Sequence, residues 1–196
     1  LAGCGSPEST SEIAAAPPFR AEKALFATLK GTPLVERSPR GGSARFALLS
    51  PDNTGVSYLN VFQSDHPRKD LYSTGFSCGG VAIGDVDGDN KPDIYLTHGP
   101  GKNRLYRQAG DMTFEDVTDD SGTAGSGAWG TGVAMVDIDD DGDLDIFACN
   151  YAAPNLLYVN SGTGHFTEEA SAWGIDTIDA SLMPAFCDYD LDGDLD

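Results

Sequence analysis

A chain of 196 residues is long enough for one domain or slightly more. Asp and Glu number 31 against 12 Lys and Arg, a formal net charge of −19, and no stripe of basic residues exists to meet phosphates, which argues against nucleic acid as a partner. No run of 18 apolar residues occurs, so no membrane-spanning helix is expected. The 24 glycines and 11 prolines, set among short apolar runs, point instead to an all-β protein with many turns. The chain opens at Leu1 rather than Met and closes at Asp196 inside an aspartate-rich loop, so it is expected to be a fragment of a longer protein.

In chain order, Leu1-Ala2-Gly3-Cys4 comes first and resembles the lipobox of bacterial lipoproteins. That resemblance implies cleavage before Cys4, a lipid on its thiol as the only attachment to a membrane, and an exported protein in the bacterial cell envelope, periplasmic or surface-facing. Residues 1–18 continue as a small, polar, Pro-rich run suited to a flexible tether. Over 19–44 a short helix and a linker are expected, with Pro17 and Pro18 at the helix start, Gly31 past its end, and Phe19, Leu25, Phe26 and Leu29 broadly on one face.

The centre of the chain repeats itself. Asp85 to Asp137 is 52 positions and Asp137 to Asp188 is 51. Asn103-Arg104-Leu105-Tyr106 returns as Asn155-Leu156-Leu157-Tyr158, Phe114 as Phe166, and Gly122 as Gly174, each 52 positions on. One period holds four short strands, near 80–84, 93–98, 103–108 and 114–118; the next holds them near 132–136, 145–149, 155–160 and 166–170. Four strands per period of about fifty residues is the pattern of a β-propeller blade. A β-sandwich would not repeat so strictly, and most solenoids carry fewer strands per turn. The expected organisation is a blade over 79–130, a second over 131–181 and the start of a third over 182–196. Upstream, 45–78 should supply an N-terminal closing strand at 45–50, because Phe46…Gly55 parallels Phe114…Gly122, followed by an extra hairpin or loop at 57–72.

Each period contains one aspartate-rich loop: DVDGDNKPD (85–93), DIDDDGDLD (137–145) and DYDLDGDLD (188–196). Crowded carboxylates repel by on the order of 1 kcal/mol per pair at 4 Å in water unless a cation sits among them. Calcium takes six to eight oxygens, mostly carboxylates and carbonyls. Positions 1, 3, 5 and 9 offer carboxylates: Asp85, Asp87, Asp89 and Asp93; Asp137, Asp139, Asp141 and Asp145; Asp188, Asp190, Asp192 and Asp196. Position 7 offers a carbonyl, from Lys91, Asp143 and Asp194. Position 6 needs a permissive backbone, which Gly142 and Gly193 supply and Asn90 tolerates. An EF-hand would need Glu at position 12, where Leu96 and Ala148 stand, and helices on both sides. Zinc would want Cys and His. Up to three Ca²⁺ sites are therefore expected.

With Gly-Val-Ala-Ile-Gly before the first loop and Asn-Arg-Leu-Tyr-Arg after it, residues 45–196 resemble FG-GAP/VCBS repeats, as in the integrin α-subunit propeller. The similarity is greater to bacterial relatives of cartilage acidic protein, the group with an ASPIC/UnbV domain downstream. The resemblance implies a seven-bladed propeller, of which this chain holds about two complete blades, part of a third and the closing strand. Asn90 and Pro92 depart from the usual loop and bear on its affinity.

Little else carries chemistry. His66, His98 and His165 are not spaced as ligands, and His165 lies in a turn where it should be solvated. Cys149 and Cys187 fall on apolar strands as small core residues; a disulfide among Cys78, Cys149 and Cys187 would leave one cysteine over. Trp129 and Trp173 are expected to pack, with ligand stacking as the lesser alternative. The leading functional expectation is a non-catalytic, surface-anchored propeller that binds protein or glycan, its blade turns stabilised by Ca²⁺. The alternative is the scaffold or substrate-binding module of a larger exported enzyme acting on polysaccharide. A soluble calcium buffer is disfavoured by the apolar strands flanking each loop.

Overall fold

Two antiparallel sheets, each grown from one sequence period, occupy most of the chain between residues 79 and 180. The computed structural model describes residues 47–61, 63–73, 79–193 and 195. The expectations for Cys4, for the helix and linker at 19–44, and for Cys78, Asp194 and Asp196 lie outside these residues. In the first sheet β1 (Val81–Gly84), β2 (Asp93–Leu96), β3 (Arg104–Gly110) and β4 (Thr113–Asp116) follow one another in space as in sequence. In the second, β5 (Trp129–Val136), β6 (Asp145–Pro154), β7 (Leu156–Asn160) and β8 (Phe166–Glu168) do the same. These are the two expected four-stranded blades.

The repeat extends to register. Gly84 faces Asp93 across β1 and β2, and Val136 faces Asp145 across β5 and β6, so both aspartate loops leave the sheet at the same rung. Ile94 pairs with Tyr106, and its counterpart Ile146 pairs with Tyr158. Between the sheets lies the core of Val86, Tyr95, Leu105, Ile146, Ala148 and Tyr158, with Val133, Met135, Leu144 and Leu156 packed against it. Burying a Leu or Ile this fully contributes about 1.5–3 kcal/mol. Neither sheet could bury such a face alone, which is why the period must be repeated to fold.

The second blade runs longer than its sequence pattern. β5 starts at Trp129 rather than near 132, and β6 continues to Pro154 rather than stopping near 149. The extension is held by β9 (Ile178–Ala180), which pairs with the far half of β6. A register shift between Tyr151 and Ala153 accommodates Ala152 at φ 51°. Beyond β9 the third repeat begins as irregular chain. Phe186 meets Phe147 edge-on at 5.7 Å, while Cys187 is exposed. The expectation of a core cysteine therefore holds for buried Cys149 and fails for Cys187, since 181–188 forms no strand and so has no sheet face to bury it.

After the outer strand of each blade comes one helical turn: α2 (Thr118–Ser121) and α3 (Ala170–Trp173), ended by Gly122 and Gly174 in the left-handed region. The segment before blade one repeats this, with α1 (Pro51–Thr54) ended by Gly55 at φ 79°. A Cβ on Gly55 would stand 2.3 Å from the Phe114 carbonyl oxygen, and one on Gly122 would stand 3.3 Å from that of Phe166. Thus α1 leans on blade one as α2 leans on blade two. Of the strand expected at 45–50, residues 45 and 46 lie outside the described residues, and 47–50 are exposed and carry no ladder. They have no neighbouring strand among the described residues to pair with.

The extra segment, expected as a hairpin or loop, has no strand among its described residues. Its described residues form irregular chain and a 3₁₀ turn, Lys69–Ser73. It lies across the ends of the sheets remote from the aspartate loops. The Tyr58 hydroxyl donates to the Thr97 carbonyl at 2.8 Å, Gln63 donates to the Pro100 carbonyl at 3.3 Å, and Arg68 donates to the Tyr151 carbonyl at 3.3 Å. Trp129, 2% exposed, is covered by His66 and Tyr72 with ring centroids 5.2 and 5.0 Å away, so it packs as expected. Trp173, by contrast, is exposed and donates its indole N–H to Glu169. Among the described residues no helix is long and apolar enough to cross a membrane.

Candidate metal centre

Strand alternation and the β1–β2 turn build the first loop. Asp85 leaves β1 and turns its carboxylate back into the loop. One of its oxygens accepts the N–H groups of Gly88 and Asp89 at 2.9 and 3.1 Å, and the other accepts that of Asn90 at 2.7 Å. Asp87 accepts the Asp89 N–H at 3.3 Å. Asp93 opens β2 fully buried, between the N–H of Val86 at 3.0 Å and that of Gln108 at 2.8 Å. The second loop is the same object. Asp137 accepts Asp141 and Gly142 at 3.1 and 3.0 Å, and buried Asp145 lies between Ile138 at 2.9 Å and Asn160 at 2.8 Å. In the third loop Asp188 accepts Asp192 at 3.1 Å.

Position 6 adopts the expected left-handed backbone in all three loops: Asn90 at φ 63°, Gly142 at 94° and Gly193 at 103°. Position 4 does so too, with Gly88 at 75°, Asp140 at 58° and Leu191 at 64°. That second requirement was signalled in sequence only by Gly88.

Carboxylate oxygens converge within 4.8 Å in three sets: Asp85, Asp87 and Asp93; Asp137, Asp139 and Asp145; Asp188, Asp190 and Asp192. Position 5 divides the loops. Asp192 joins its set, whereas Asp89 and Asp141 do not: each accepts the N–H of position 7, from Lys91 or Asp143, at 2.9 Å, and Asp89 also pairs with the Lys91 ammonium. Position 7 brings no side chain into these sets among the described residues. None of the three histidines joins them: His66 packs at a tilt against Trp129, His98 contacts the Leu59 carbonyl at 3.1 Å and His165 the Asp120 carbonyl at 3.2 Å.

Burial holds the Asp93 carboxyl above its ordinary range, against the stabilising N–H groups of Val86 and Gln108, and the charges of Asp87 and Asp85 push it the same way. Asp145 is raised by burial in the same manner, with Asp139 and Asp141 adding to it. The Lys91 ammonium lowers Asp89. A buried carboxylate is costly unless it is paired or coordinates a metal, and neither Asp93 nor Asp145 has a cationic partner among the ion pairs of the described residues. Three oxygen donors converging on one point, without Cys or His, fit a hard cation such as Ca²⁺.

Sheets of four antiparallel strands, a metal-fit loop between the first two of each, and a period of about fifty residues define an FG-GAP-type propeller repeat. The FG-GAP-like repeat family matches residues 85–148 and 137–196, together more than half of the chain, and the chain belongs to that family. It is similar to cartilage acidic protein 1 of Homo sapiens, 33% identical over 84 residues, covering 43% of this chain and 13% of the human protein. The Xenopus tropicalis protein is 32% identical over 84 residues, with the same coverage, and that of Mus musculus is 32% identical over 80 residues, covering 41% of this chain and 12% of the relative. The matched stretch is thus a small part of these relatives' length.

Proposed function

We propose that the chain is part of a calcium-stabilised, non-catalytic β-propeller that presents its surface to a protein or glycan ligand. The observation that carries this reading is the convergence of three carboxylates in each loop on one point, with Asp93 and Asp145 buried there. The ligands are Asp85, Asp87 and Asp93, then Asp137, Asp139 and Asp145, then Asp188, Asp190 and Asp192. The carbonyls of Lys91 and Asp143, and the residues Asp194 and Asp196, complete the shells. Asp89 and Asp141 enter when the ion draws them in. Seven blades close the ring, and 45–50 supplies an outer edge strand to another blade of the longer chain. The protein is exported to the bacterial envelope and anchored through a lipid on Cys4.

For ligand contact, the cleft of about 640 Å³ between the blades is suited by its lining, which includes Asp87, Arg107, Glu115, Asp120 and His165 beside the first loop. A bound ion stabilises the folded state by about 2.7 kcal/mol at a hundredfold excess over Kd, and several loops act together. The test is the melting temperature of the full-length protein in calcium and in EDTA. A rise of many degrees in calcium is expected; equal melting in the two would sink the calcium reading.

A further inference from the structure

Asn160 ends β7 with 5% of its surface exposed, and every hydrogen-bonding group of its carboxamide is used. Its side-chain nitrogen donates to the Val86 carbonyl at 2.8 Å and to the Leu144 carbonyl at 3.0 Å. Its side-chain oxygen accepts the N–H groups of Gly162 and Gly164 at 3.1 and 3.2 Å. Flipping the amide would set two donors against two donors and two acceptors against two acceptors, so its orientation is determined. Val86 belongs to the first aspartate loop and Leu144 to the second. The Asn160 backbone N–H donates to Asp145 at 2.8 Å, and the Val86 N–H donates to Asp93 at 3.0 Å. An unbroken run of contacts therefore leads from one buried carboxylate to the other: Asp93, the Val86 peptide groups, the Asn160 amide, Asp145.

The turn that follows Asn160 is wedged along the same line. A Cβ on Gly164 would stand 3.5 Å from the Asp87 Cβ, and one on Gly162 would stand 2.4 Å from an Asp143 carboxylate oxygen. In blade one the equivalent residue is Gln108, whose N–H donates to Asp93 at 2.8 Å in the same way. Its longer side chain donates instead to the Gly110 carbonyl at 2.9 Å, and its buried oxygen has no partner. Among the described residues the bridge between loops is made by Asn160 and not by Gln108.

We propose that Asn160 is a positioning residue that couples the first two calcium loops, so that loading either one raises the affinity of the other. The inference rests on the calcium reading above. An ion in the second loop holds Asp145, which holds the Asn160 backbone, which keeps the amide on Val86 and so keeps Asp93 placed for the first ion. The ordering cost is then met once for two sites, and the effect is reciprocal.

The test follows amide hydrogen exchange by mass spectrometry in the full-length protein across a calcium series, reading peptides over 85–93 and 137–145 separately. High salt screens the direct charge effect of removing a carboxylate. Asp139→Asn disables the second loop at an exposed ligand, and the calcium midpoint of the first loop is expected to rise about fivefold or more. Asp87→Asn should do the same to the second loop. In Asn160→Ala, or in Asn160→Gln should the first fail to fold, disabling one loop should leave the midpoint of the other in place. Independent titration of the two loops in the unmodified chain would overturn the coupling while leaving calcium binding intact. Absence of any calcium-dependent protection would overturn the calcium reading itself.

Discussion

The Asn155 side-chain oxygen accepts the backbone N–H of Asn150 at 3.0 Å, and 52 positions earlier Asn103 accepts that of His98 at the same distance. This contact closes the connection from the second to the third strand of each blade. It is the reason the repeat carries Asn before its Leu-Tyr pair. The amide nitrogens then differ by blade: Asn155 donates to Ser181 at 3.0 Å, and Asn103 donates to the Tyr95 hydroxyl at 2.9 Å.

Asn155→Ala should therefore leave a buried N–H without a partner and cost about 1–3 kcal/mol. Asn103→Ala should cost a similar amount. Urea unfolding of the full-length protein in saturating calcium measures both, and an unchanged midpoint would show that water replaces the side chain.

Lys91 sets the first loop apart from the second. Asp89 and Asp141 each accept the N–H of position 7 at 2.9 Å, but only Asp89 is also paired with an ammonium, because position 7 of the second loop is Asp143. Lys91→Gln should remove the cation that competes with calcium for Asp89 and tighten calcium at the first loop, because affinity follows the charge available to the ion. The loop-resolved exchange titration reads this directly as a lower calcium midpoint for 85–93.

Backbone conformation makes a paired prediction. Gly55 is left-handed and touches the Phe114 carbonyl, so Gly55→Ala combines conformational cost with a clash and should destabilise by more than about 1 kcal/mol. Leu191 is left-handed with 85% of its surface exposed, so it bears the conformational cost without burial to offset it. Leu191→Gly should stabilise the third loop by about 0.5–1 kcal/mol. Thermal melts of the two variants should move in opposite directions.

The cysteines should separate by reactivity. Burial pushes the Cys149 thiol up to about 11, so it stays protonated through pH 8 and is shielded from reagent, while Cys187 is exposed. Maleimide labelling at pH 8 followed by peptide mapping should modify Cys187 within minutes. Cys149 should react only on opening of the blade. Equal rates at the two positions would contradict the packing of β6.

Much of this protein is local and therefore legible from one dimension. The alternation of Asp85, Asp87 and Asp89, the glycine or asparagine at position 6, and the apolar pairs of β2 and β3 each state a requirement of the backbone within a few residues. Fifty-two-residue spacing then gives the blade, because each period must bury its face on the next. The left-handed residue at position 4 was hidden, since Asp140 and Leu191 do not advertise it. So was the true extent of β6, because the partner that lengthens it, β9, comes some 25 positions later and has no counterpart in the pattern.

What sequence alone determined is which residues could meet a metal: carboxylates at fixed offsets in a turn are a short-range matter of backbone geometry and charge. What only the tertiary structure decided is which of them converge and what stands behind them. Asp93 and Asp145 lose their water, and Asn160 reaches from one blade into the loop of another. Those outcomes depend on distances between residues as many as 74 positions apart, which are set by the packing of one sheet against its neighbour and by nothing adjacent in the chain.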